Sequence, residues 1–185
     1  MNINTLPGTT IELPRSMPAL RTLSSSLFLT GGLTPMQVAD LTNLSAQVLR
    51  NWVKRGFLSP PVNKRYSQPQ FFHIAILNFL KDHLQLEVAA RVIKHVNINL
   101  PGRGGDLIDE TSLYHYFIEA LFLTDNDIGK VDAAVKHTLQ SFREPYHGAR
   151  GRLTLVIRIL IILHISSQIK NSAELLIRNA GLKGN

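Results

Sequence analysis

Gln47, Arg50, Asn51 and Lys54 stand at i, i+3, i+4 and i+7. On a helix that spacing lines one face with amide and cationic groups able to hydrogen-bond base edges and phosphates. Leu49, Trp52 and Val53 fall on the opposite side, where a core would take them. Arg55 follows Lys54 at the helix end, and Lys64, Arg65 and Tyr66 come ten residues on. Phosphate contacts supply affinity and register, so Lys54, Arg55, Lys64 and Arg65 suit that role. Gln47, Arg50 and Asn51 are the candidates for reading bases. The chemistry points to double-stranded DNA as partner.

A reading face needs elements that hold it. Thr34 is a plausible N-cap, Pro35 suits the first helical position, and Gln37 completes a capping box, so a helix is expected over Pro35–Thr42. Asn43-Leu44-Ser45 makes a three-residue turn, with Ser45 capping a helix Ala46–Arg55 and Gly56 suited to its left-handed end. Helix, short turn, helix is the arrangement that sets a second helix into a major groove. Pro60-Pro61 then excludes helix, and Asn63-Lys64-Arg65 suggests a short basic hairpin, or wing. Ser67 with Gln70 gives a second capping box, opening a helix from Gln68 to about His83, and a further helix is expected over Leu86–Val96.

Around this unit the chain reads as mainly α. Residues 1–15, with Pro7, Gly8 and Pro14, look like a loosely held arm, followed by a short helix capped by Ser16 and ended by Gly31-Gly32. Pro101 and Gly102–Gly105 suggest a connection, dividing the chain into 1–33, 34–97 and 98–185. In the last part helices are expected over Ser112–Leu123, Asp127–Phe142, Leu153–Gln168 and Ser172–Asn179, forming a C-terminal bundle. The bundle's apolar faces exceed what a small core needs, which implies a homodimer or a small-molecule or protein effector.

Composition narrows the classes. The 185 residues carry a net charge of +7, with a pI near 10.0, which favours a polyanionic partner. The charge is uneven. Residues 34–97 hold eight Lys/Arg against three Asp/Glu, residues 98–144 four against eight, and residues 145–185 six against one. The absence of cysteine excludes disulfides and thiolate metal sites and fits a cytoplasmic setting. No signal peptide is evident, and Leu153–Ile165 is short for a membrane span. The seven histidines are scattered without ligand spacing, so no metal is expected. Asp106, Asp109 and Glu110 are accounted for by capping, and Gly102–Gly105 lacks the Lys-Ser/Thr of a phosphate loop. Neither catalytic residues nor a cofactor is implied.

The stretch Leu49-Arg50-Asn51-Trp52-Val53-Lys54-Arg55-Gly56-Phe57-Leu58-Ser59-Pro60 resembles the MerR-type pattern of Leu-Arg, two aromatics, a charged pair, Gly-Leu and Pro. Lys64-Arg65-Tyr66-Ser67 is similar to that family's Arg-x-Tyr wing and cap, and Leu84-Gln85-Leu86-Glu87-Val88 to the start of its fourth helix. More narrowly, the whole chain resembles a class of MerR-like proteins from Gram-positive bacteria that carry a domain of unknown function. The resemblance implies a winged helix-turn-helix over Thr34–Asn97, followed by the helical bundle, and a non-enzymatic transcriptional regulator. It implies that Arg50 and Arg65 contact the DNA backbone, that Trp52 packs against the wing, and that Tyr66 packs or faces DNA. Asn51 replaces the family's first aromatic, and Pro101 with its glycines interrupts the place of the long dimerisation helix. A protein-interaction adaptor and an excisionase-like architectural protein are the competing functional readings.

Overall fold

Helix starts are where this chain is most explicit. In a computed structural model describing residues 5–96 and 108–182, Thr34 and Gln37 cap each other reciprocally, as do Ser67 and Gln70. Ser16, Ser45 and Asp109 each accept from a backbone N–H of their own first turn. These caps satisfy donors that a helix end leaves orphaned. The helices are α1 (Met17–Leu27), α2 (Pro35–Thr42), α3 (Ala46–Lys54), α4 (Gln68–Lys81), α5 (Leu86–Val96), α6 (Glu110–Thr124), α7 (Val131–Thr138, preceded by a 3-10 turn Ile128–Lys130) and α8 (Ala149–Asn179). Among the described residues there are only isolated β-bridges, so the fold is mainly helical.

The centre is α4. Phe71, Phe72 and every residue from Ile74 to Leu80 are buried, with Asn78 the one polar side chain among them. A helix apolar on all sides must be enclosed. It packs against α2, α5 and α6. Phe72 lies 4.7 Å from Tyr114, and Phe79 lies 5.8 Å from Phe117. A single apolar cluster therefore runs from Leu6 through α4 to Ile165. The core does not divide between residues 34–96 and 108–182. The expected connection at Pro101 and Gly102–Gly105 lies outside the described residues.

Three expectations are corrected. The N-terminal segment is no loose arm from Thr5 onward. Leu6 is buried, Thr5 pairs with Glu12, and the turn between them is wedged against the helices. The Pro7 carbonyl accepts from the Tyr114 hydroxyl, and the Gly8 carbonyl accepts from Asn78 Nδ2, both at 2.8 Å. Gly8 has φ +74, and a Cβ there would stand 1.9 Å from the Ala75 carbonyl oxygen, so only glycine fits. Second, the helix expected over Asp127–Phe142 ends at Thr138, and Arg150 donates to the carbonyls of Leu139 and Phe142 beyond it. Third, the two last helices are one. The Ser172 hydroxyl does not cap a new start; it donates to the Gln168 carbonyl at 2.9 Å, and α8 runs on for 31 residues. At that length α8 is long and apolar enough to cross a membrane, with a mean hydropathy of 1.6 over its most apolar 18 residues.

Candidate nucleic-acid interface

The three-residue turn between α2 and α3 begins at Asn43, whose φ of +53 closes α2 in the left-handed region that asparagine tolerates. Leu44 is buried in the turn and Val38 in α2, and α3 seats Leu49 and Trp52 over them in the common core. That seating turns the other face of α3 outward. Gln47, Arg50, Asn51 and Lys54 are all exposed.

Three of these four form a connected row. Gln47 Oε1 accepts from Arg50 Nη2 at 2.8 Å, and Gln47 Nε2 donates to Asn51 Oδ1 at 3.0 Å. The row is thus held in one geometry, with acceptors used internally and donors left over: the remaining guanidinium N–H groups and the Asn51 amide hydrogens. A donor-rich surface matches guanine N7 and O6 and phosphate oxygens. Among the described residues Lys54 forms no ion pair.

The hairpin is tight and two-residue. Asn63 (φ +49) and Lys64 (φ +61) are its central residues, and the Arg65 N–H donates to the Val62 carbonyl at 2.9 Å. Positive φ at both centres is the type I′ arrangement, which matches the twist of the flanking chain. At its base Leu33 and Tyr66 exchange two backbone hydrogen bonds, 3.0 and 2.7 Å, tying the hairpin to the segment that leads into α2. The tip, Asn63 and Lys64, is exposed.

Three candidate residues are placed differently from Lys64. Arg65 donates to the Gly32 carbonyl at 2.7 Å and is half-buried, bracing the hairpin. Tyr66 is buried, and burial raises its hydroxyl pKa. Of the two roles open to Tyr66, packing is the one its position fits. Arg55 turns away from the α3 row, pairing with Glu87 on α5 and lying over the Phe57 ring at 4.7 Å. Trp52 is buried.

Two residues that were not among the candidate site residues support the site. Gln70, beyond its capping duty, donates through Nε2 to Ser59 Oγ and the Pro60 carbonyl, both at 2.9 Å, and so holds the approach to the hairpin. His73 Nε2 donates to the Phe57 carbonyl at 3.0 Å, while its Nδ1 lies 3.3 Å from Glu110 Oε1 on α6. Capping boxes are visible in sequence, but these second contacts cross elements and carry no local pattern. No group of three His, Cys, Asp or Glu side chains converges among the described residues.

Residues 29–117 match the model of a family described as a domain of unknown function (DUF1836). The matched span covers α2 through Phe117 in α6, including the α3 row, the hairpin and the α6 residues that pack on α4. No curated protein and no solved structure matches the chain.

Proposed function

We infer that this protein is a DNA-binding transcription regulator of the winged helix-turn-helix kind, with α3 entering the major groove and the hairpin tip gripping phosphate. The observation that carries the reading is the Gln47–Arg50–Asn51 row. A polar row pre-set on an outward face, over a buried Leu49–Trp52 face, has the donors and geometry that base and phosphate recognition needs. Lys54 and Lys64 extend it with cations, so Lys64, not Arg65, is the hairpin's phosphate contact. Two acidic residues of 98–144 have partners other than the α3 row and the hairpin tip: Glu110 lies against His73 and Asp132 against Arg158. Regulation requires no catalysis, cofactor or metal in this reading, and the C-terminal helices serve as the assembly or effector part.

The test begins with DNA fragments that co-purify with the protein, followed by anisotropy titrations on the enriched sequence. Arg50→Ala is expected to weaken binding about 10-fold or more. Arg50→Ala with Lys64→Ala should also flatten the dependence of log K on log salt. Equal binding by wild type and the double variant would remove the assigned face.

A further inference from the structure

The outward side of α8 has no cover in the monomer. Leu153, Leu160 and Ile161 point into the core. On the opposite side Leu155, Ile162, Ile169 and Leu176 recur every seven residues, exposed to 47, 40, 65 and 69%. Four residues after each come Ile159, Ser166, Ala173 and Ala180, the first half-buried and the others exposed. Steps of four and three sustained over four heptads give a 3.5-residue period, the pattern of a helix that pairs with a helix.

We propose that this stripe is a homodimer interface in which α8 pairs antiparallel with α8 of a second copy. The volumes of the side chains select this occupant. With Ser166 set against Ile169 of the second copy, Ala173 meets Ile162, Ala180 meets Leu155, and Ile159 meets Leu176. Three of the four layers then join one large side chain to one small one, and the two-fold axis generates each layer twice. Parallel pairing would instead stack Ser on Ser and Ala on Ala between layers of Leu and Ile, leaving the small layers underfilled.

Charge and length agree. The flanking cations already have carboxylates of their own chain: Arg158 Nε lies 3.0 Å from Asp132, and Lys170 Nζ 3.9 Å from Glu174. The antiparallel register brings Arg158 near Asn179 of the second copy, beside an Arg178 whose guanidinium lies 4.0 Å from Glu174 of its own chain. Beyond Ile169 the helix also exposes Leu175, Ile177 and, just past its end, Leu182. An apolar helix end of about three turns has little stability of its own. In the pair it lies along the Leu155 end of its neighbour, beside an α7–α8 groove of about 270 Å³ lined in part by Val135, Leu139 and Thr154.

The inference is independent of DNA binding, because the test contains no DNA. Sedimentation equilibrium of the full chain at tens of micromolar should give twice the 20.7 kDa of one chain. Ile162→Glu with Ile169→Glu, both at exposed positions, should keep the far-ultraviolet circular dichroism and raise the dimer dissociation constant roughly 100-fold or more. Because the chain has no cysteine, introduced thiols report geometry directly. A mixture of Ile162→Cys and Ala173→Cys chains should cross-link into mixed dimers, and neither variant alone should. A monomeric wild type, a dimer that survives the double glutamate variant, or cross-linking of Ile162→Cys with itself would overturn the proposal. So would a monomer that sediments with phosphatidylglycerol vesicles through Ile162 and Ile169, since the stripe would then be a lipid-facing surface.

Discussion

α3 and α8 both bury one face and present the other, yet the presented faces differ in kind. The outward row of α3 is polar and partly satisfied within itself, since the Gln47 amide holds Arg50 and Asn51. Such a face rests in water at little cost and keeps spare donors for a polyanion. The outward row of α8 is Leu and Ile in a heptad step, with no internal partner. Apolar area of that kind gains only by being covered. Amphipathic periodicity therefore specifies where a helix sits in both cases, while the chemistry of the outer row specifies what it waits for.

The sharpest way to break the comparison is to damage the inner face of α3 and spare the outer. Trp52 is 4% exposed. Trp52→Ala should cost about 3–5 kcal/mol in urea denaturation, whereas Arg50→Ala on the same helix should stay within about 0.5 kcal/mol. Equal costs would mean that α3 is not seated through its apolar face.

The inner faces also differ in what acid does to them. Leu49 and Trp52 do not titrate, but the inner side of α8 carries His164. Burial, then the charge of His83, pushes the His164 pKa down from 6.5 to about 4. Burial lowers His83 and His115 as well. The unfolded chain takes up the His164 proton near 6.5 and the folded chain only near 4, so protonation favours unfolding between those values. Stability is complete above pH 6.5 and falls as pH drops towards 4, by on the order of 3 kcal/mol for His164. Urea midpoints measured between pH 7 and 4.5 should fall accordingly, and His164→Gln should flatten the decline. A wild-type midpoint that holds steady over that range would contradict the burial of this imidazole.

Local chemistry explains what the sequence disclosed and what it hid. The starts of α2 and α4 and the α2–α3 turn were legible because Thr34/Gln37, Ser67/Gln70 and Ser45 act on backbone within three residues. The α3 face was legible for the same reason, as a 3.6-residue period needs nine residues to show. The seat of Gly8 was not, because the clash that demands glycine comes from Ala75, far along the chain. The break expected between Gln168 and Ser172 does not occur: a serine hydroxyl can stop a helix or bond back to the preceding turn, and Ser172 does the latter. Arg55 likewise had two uses, and its choice of Glu87 depends on how α5 packs against α4.

The hairpin tip offers the smallest effect on stability and the cleanest separation from binding. Lys64 holds φ +61, a conformation that costs a residue with a Cβ and suits glycine, which is also the favoured second residue of a type I′ turn. Lys64→Gly should therefore leave stability unchanged or raise it by a few tenths of a kcal/mol, the relief of strain being offset by the freer unfolded chain. The same change deletes a cation from the tip, so the slope of log K against log salt on DNA should decrease in magnitude by about one. Opposite movements of the two readouts would separate the hairpin's folding role from the phosphate role proposed for it. A slope identical to wild type would strip Lys64 of the phosphate contact and leave the hairpin as a brace for α3.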